Sequence, residues 1–179
     1  SFEAPQECVI IANSLSFNIT TSLTNIATLS CNDELTNSLY VQQTEGLLEI
    51  IQRKETGPAE DITLSLPEKC ALMCSLAGQA SVAIQNAPSD GRPELRVSII
   101  NGGTVSVTGG SYKEGSVSIL GLGDVTFTDV TLQSPLGIHI NGIGTIKSNR
   151  HDGRMGSLSC SNGALVQLGG GVMRAGRRP

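Results

Sequence analysis

Apolar and polar side chains alternate in short runs along the second half of this chain, and the runs return at a nearly fixed interval. Val97-Ser98-Ile99 is followed by a glycine-bearing corner and then by Val105-Ser106-Val107. The same shape recurs as Val117-Ser118-Ile119 with Val125-Thr126-Phe127, and as Ile138-His139-Ile140 with Ile146-Lys147-Ser148. A looser copy is Leu158-Ser159-Cys160 with Val166-Gln167-Leu168. The copies start at positions 97, 117, 138 and 158, so they lie 20, 21 and 20 residues apart. Alternation at period two is the mark of a strand with one face in a core. A fixed period in this range predicts stacked units, each burying its apolar face against the next.

Reading across the copies predicts inward rows. Val97, Val117, Ile138 and Leu158 form one; Ile99, Ile119, Ile140 and Cys160 a second; Val105, Val125, Ile146 and Val166 a third. Small polar residues, mainly Ser and Thr, take the outward positions. The corners Asn101-Gly102-Gly103, Gly121-Leu122-Gly123 and Asn141-Gly142-Ile143-Gly144 supply glycine where the chain must turn sharply. Ile62-Thr63-Leu64 and Val82-Ala83-Ile84 extend the pattern upstream, with Asn86–Glu94, which carries Pro88 and Pro93, expected as a loop between units.

Residues 1–60 alternate less regularly and are expected to form an N-terminal cap or irregular early coils. Residues 61–168 are expected to form the repeat body, and 169–179 a flexible tail. Arg174-Ala175-Gly176-Arg177 in that tail fits a loose basic processing pattern. Such a tail makes a poor lid, so further coils, a protein partner or another copy of the chain are expected to cover the C-terminal end of the stack.

Composition narrows the core chemistry. Aromatics are 3% of the 179 residues and Trp is absent, so the interior must be built from Val, Ile and Leu. The net charge of -4 argues against a general nucleic-acid binder, which needs a basic face. No run approaches the ~18 apolar residues of a membrane helix. Of the five cysteines, Cys160 falls on an inward row and is expected as a buried free thiol. That leaves Cys8, Cys31, Cys70 and Cys74, an even set able to form two disulfides in any of three connectivities. Cys70 and Cys74 are read as lying on one helical face or across a short loop. Finger-like zinc spacing is absent, and no metal or cofactor is expected. Asn18-Ile19-Thr20 is a glycosylation sequon, relevant to an extracellular or cell-surface location.

The in-register triplets with glycine-rich corners resemble the right-handed parallel β-helix of pectin-degrading enzymes, autotransporter passengers and phage tailspikes. The resemblance covers about residues 62–168. It implies an all-β solenoid of about six coils, here with an irregular, disulfide-tied N-terminal cap. It also implies either a non-enzymatic structural module or a carbohydrate-active protein acting on acidic polysaccharide. The first is the reading adopted: part of a larger surface or fibrous assembly, with recognition through inter-coil loops. For the second, Asp124, Asp129, His151 and Asp152 are the candidate catalytic groups. Two carboxylates about 5–10 Å apart suit glycoside hydrolysis, and a basic group suits proton abstraction beside a uronate carboxylate. Lys147, Asn149, Arg150, His151 and Arg154 are the candidate binding residues, with His139 interrupting an outward row of serines.

Overall fold

A computed structural model describes residues 1–54, 61–87, 91–149, 155–161, 165–168 and 171–174, with the side chains of residues 61, 155–161, 168 and 171–174 left undescribed. Its elements are strands throughout, apart from one 3-10 turn at Asp33–Leu35. The N-terminal strands are β1 (Phe2–Glu3), β2 (Glu7–Ala12), β3 (Ser16–Ser22), β4 (Ile26–Ser30), β5 (Leu39–Thr44) and β6 (Leu47–Gln52). The middle strands are β7 (Asp61–Pro67), β8 (Ala71–Ala77), β9 (Ser81–Gln85), β10 (Gly91–Ile100), β11 (Thr104–Thr108) and β12 (Ser111–Thr128). Strands β13 (Thr131–Leu132), β14 (Leu136–Ser148), β15 (Met155–Ser161), β16 (Leu165–Leu168) and β17 (Gly171–Arg174) complete the set. All join one mixed sheet, which curls around a shared interior and nearly closes like a barrel.

The twenty-residue echo is a spatial register. Cys74, Val97, Val117, Ile138 and Leu158 pair in sequence across neighbouring parallel strands, as do Leu76, Ile99, Ile119, Ile140 and Cys160. Beyond the glycine corner, Val82, Val105, Val125, Ile146 and Val166 form a third row. From Val82 to Val166 the described members of these rows are buried, so each aliphatic side chain packs on the one a strand away. The long strands β12 and β14 bend through the corner and serve both faces. Their turn requires glycine: Gly142 has φ +138, and a Cβ there would stand 2.5 Å from the Gly121 carbonyl oxygen. A short third side begins at Gly91, Ser111 and Thr131, where Arg92, Tyr112 and Leu132 stand in register.

The resemblance to a right-handed parallel β-helix does not survive. The sheet is mixed, with antiparallel pairings of β1 with β4, β4 with β7, β5 with β6, and β16 with β17. The winding order is also broken. β2 lies between β6 and β8, and β3 between β7 and β9. The first strands in sequence are therefore inserted between two layers that follow each other along the chain. A period of alternation specifies which side chains face inward; it does not specify the order in which layers stack.

Further expectations change. No disulfide ties the N-terminal region: Cys8, Cys31, Cys70 and Cys74 are all free. Cys70 immediately precedes β8 and Cys74 lies within it, so the pair spans neither a helical face nor a short loop; Leu72, Cys74 and Leu76 alternate into the core. The stretch expected as a loop at Asn86–Glu94 is strand from Gly91 onward, with Asn86 and Ala87 described ahead of it and 88–90 outside the described residues. Of the expected tail, Gly171–Arg174 pairs antiparallel with β16.

The first layers cover their own open edge. β5 runs along β6, turning through Glu45 and Gly46 with φ of 48 and 82. β4 covers the outer edge of β7 and is itself paired with β1. These short antiparallel strands pair the outer edges of β6 and β7 and become the edge themselves, and a short edge strand is a weaker template for another chain than a long one.

Candidate functional site

Of the candidate acidic residues, Asp124 and Asp129 are described, and they stand apart. Asp124 is exposed on β12, in register between Thr104 and Thr145. Asp129 lies just beyond the end of the same strand. Four residues lie between the two, roughly 16 Å along an extended chain, against the about 5–10 Å that a hydrolytic carboxylate pair requires. Asp129 instead shapes a corner. Its backbone has φ 54, its N–H donates to Asn149 Oδ1 at 2.8 Å, and Asn149 Nδ2 donates to its carboxylate at 3.1 Å.

His139 is exposed on β14 between Ser118 and Ser159, on the face before the glycine corner. Lys147 is exposed on the face after that corner, between Thr126 and Gln167. The corner thus separates the two basic groups. Arg150, His151, Asp152 and Arg154 lie outside the described residues. Among the described residues no group of three or more His, Cys, Asp and Glu is placed to hold a metal ion. Also among them, no helix is long and apolar enough to cross a membrane.

On the second face the outward residues form polar rows. Thr63, Asn18, Ala83, Ser106, Thr126, Lys147 and Gln167 are in register, and beside them run Ser65, Thr20, Gln85, Thr108 and Thr128. Asn18, the sequon residue, is therefore exposed on the outward face of β3. At the corner between faces the surface is apolar: Ile100 stands beside Leu120, and Leu122 beside Ile143. All four are exposed.

The most developed polar cluster is interior, and sequence reasoning missed it. Arg92 is 1% exposed. Its Nη1 donates to the carbonyls of Pro67 at 2.6 Å and Cys70 at 3.1 Å, and its Nη2 reaches the Leu66 carbonyl at 3.4 Å. Nε donates to Asn86 Oδ1 at 3.0 Å. Asn86 Nδ2 in turn donates to Tyr112 Oη at 2.8 Å and to the Gly109 carbonyl at 3.1 Å. Carbonyl dipoles and an amide, not a carboxylate, surround the charge. The arrangement joins the β7–β8 turn to the third side of the sheet. A signal was available: Gly91 to Ile100 and Ser111 to Leu120 are also 20 residues apart, so the echo reaches six residues upstream of Val97 and places Arg92 on Tyr112.

The three core thiols are held protonated. Burial pushes the Cys70 thiol up to about 11, with Arg92 opposing, and the Cys74 thiol up to about 12. Cys8 is raised well above its ordinary value, first by burial and then by Cys70 and Cys74. Since the thiolate is the reactive form, these groups are poor nucleophiles and poor metal ligands near neutrality. Cys31 is half-buried and packs against the edge of the core.

No protein-family model matches the sequence, and no curated protein matches it.

Proposed function

We propose that this chain is a non-enzymatic structural and interaction module of an extracellular or cell-surface assembly. In this reading it is a stiff β scaffold, partners are recognised through the loops that join its strands, and a protein partner or further copy covers its C-terminal end. Support comes chiefly from the unbroken register of Leu76, Ile99, Ile119, Ile140 and Cys160. Stacking of this kind resists bending because every layer shares backbone hydrogen bonds and side-chain contacts with both neighbours. The separation of Asp124 from Asp129, and the use of Asp129 to fix a corner, draw weight away from hydrolysis by that pair.

A second reading, binding of carbohydrate, draws on the uncharged hydroxyl and amide rows around Ser106, Thr108, Thr126 and Thr128. Sedimentation velocity over a range of concentrations, with glycan-array binding and reducing-end release from uronate polymers, separates the readings. Self-association without glycan binding is the expected result. Turnover of a uronate polymer that disappears in Asp152→Asn would overturn the structural reading in favour of an enzyme. Secretion is checked by occupancy of Asn18 after expression through a secretory pathway.

A further inference from the structure

The insertion of the first strands between later ones has a consequence for assembly. Strands β2 and β3 fill a slot whose walls, β6 with β7 and β8 with β9, are supplied by residues 47–85. The slot is tightly specified. Cys8, Ile10, Phe17 and Ile19 are at most 1% exposed within it. The backbone is engaged as well: Ala71 N–H donates to the Gln6 carbonyl, Gln79 N–H to Asn13, and Ser81 N–H to Leu15.

Only a three-residue turn, Leu23-Thr24-Asn25, links β3 to β4. β3 and β4 lie on opposite edges of β7, so this turn must cross the end of that strand. Within the turn, Thr24 N–H donates to Ser22 Oγ and Ile26 N–H to Thr24 Oγ1. Leu23, at its tip, is 99% exposed, and neighbouring Ile26 is 42% exposed. A large aliphatic side chain at full exposure on a tight hinge is an unfavourable placement that a second copy would relieve.

We propose that residues 2–22 exchange between two copies of this chain, each copy's β1, β2 and β3 filling the slot of the other. The contacts in the slot are the same in monomer and exchanged dimer. The difference lies in the hinge, which straightens and meets its counterpart, covering Leu23 and Ile26. A short hinge favours exchange because closing the turn within one chain becomes strained. High protein concentration during folding favours it by mass action. This inference is independent of the function proposed above, since it concerns only how the N-terminal slot is filled.

Thr20 and Gln85 are exposed partners in register on β3 and β9, so Thr20→Cys with Gln85→Cys reports which chain fills the slot. Isotope-labelled and unlabelled full-length chains carrying both substitutions are mixed in denaturant and refolded at low and at high protein concentration. The disulfide-linked peptides of each size fraction are then read by mass spectrometry. Refolding at low concentration is expected to give monomer with same-isotope links. Refolding at high concentration is expected to give a dimer fraction in which residue 20 of one isotope is linked to residue 85 of the other. Monomer at every concentration, or a dimer whose 20–85 links all stay within one isotope, overturns the proposal. Deleting Thr24 is expected to raise the dimer fraction several-fold, and a folded, monomeric deletion variant also overturns it. If the deletion variant does not fold, the refolding of the chain with its natural hinge decides.

Discussion

Replacing Arg92 with Met tests whether the buried guanidinium is a support or a burden. The side chain has no carboxylate among its hydrogen-bond partners, and placing an ion in a dry interior is costly. Apolar replacement of buried ions has stabilised other proteins by about 1–4 kcal/mol. Here the acceptors would remain. Three bonds, at 2.6, 3.0 and 3.1 Å, serve Pro67, Asn86 and Cys70. A buried acceptor stripped of its donor costs about 1–3 kcal/mol, so the three together cost ~3–9 kcal/mol before relaxation. The acceptor term is therefore the larger, and the expected net loss is about 3 kcal/mol, a large fraction of a total stability of roughly 5–15 kcal/mol. In urea, with a slope of about 2 kcal/mol/M, the midpoint should fall by about 1–2 M. Arg92→Lys, with three donors in place of five, should fall between the two. An Arg92→Met midpoint equal to or above that of the natural chain would show that relief of the buried charge outweighs the lost bonds, and the account of the network would be wrong.

Other expectations follow from single contacts. Gly142→Ala should cost about 2–4 kcal/mol by thermal unfolding, because a Cβ at φ +138 meets Gly121 backbone atoms at 2.5 to 2.8 Å; an unchanged melting temperature would contradict the corner geometry. Gln52 Oε1 accepts the N–H groups of Asn13, Ser14 and Leu15 at 3.0, 3.0 and 3.3 Å. Gln52 Nε2 also donates to Ser14 Oγ at 2.6 Å and to the Lys54 carbonyl at 2.8 Å. Gln52→Leu should therefore lose about 1–2 kcal/mol; an unchanged midpoint in urea unfolding would refute this role. Cys8, Cys70 and Cys74 should resist alkylation in the native state at neutral pH while Cys31 reacts first, as read by peptide mapping. The folded thiols of Cys70 and Cys74 ionise at about 11 and about 12 against an ordinary 9.0. The unfolded state thus loses protons first as pH rises. The stabilisation from these groups is complete below pH ~9 and is lost as pH climbs through 9 toward 11–12, at up to about 1.4 kcal/mol per pH unit per thiol. Stability that rises over this interval would contradict the burial of these cysteines.

The inward rows were legible from sequence to the residue. Val97, Val117 and Ile138, and likewise Val105, Val125 and Ile146, stand in the register that the spacing implies. Strand β8 was not legible, because its alternation of Leu72, Cys74 and Leu76 includes Cys74, a residue that reads equally as a disulfide partner. Of the candidate catalytic residues, only Asp124 and Asp129 fall among the described residues. Asp124 and Asp129 are close in sequence, but an extended strand spends roughly 3.3 Å on each residue and holds them apart. Arg92 was hidden by Pro93, which reads as a loop signal yet here sits inside β10.

By itself the sequence determined that the fold is all-β, which side chains of the repeated triplets enter the core, and where glycine must turn the backbone. Those properties are local: period-two alternation and a missing Cβ act on a few residues at a time. Only the tertiary structure decided that β2 and β3 slip between later strands, that antiparallel strands cover the first edge, and that three cysteines share an interior as free thiols. Each of these depends on which distant segment offers the best-fitting edge. Many strands present the same alternating face, so their pairing is chosen by the packing of the whole sheet and leaves no mark in any one segment.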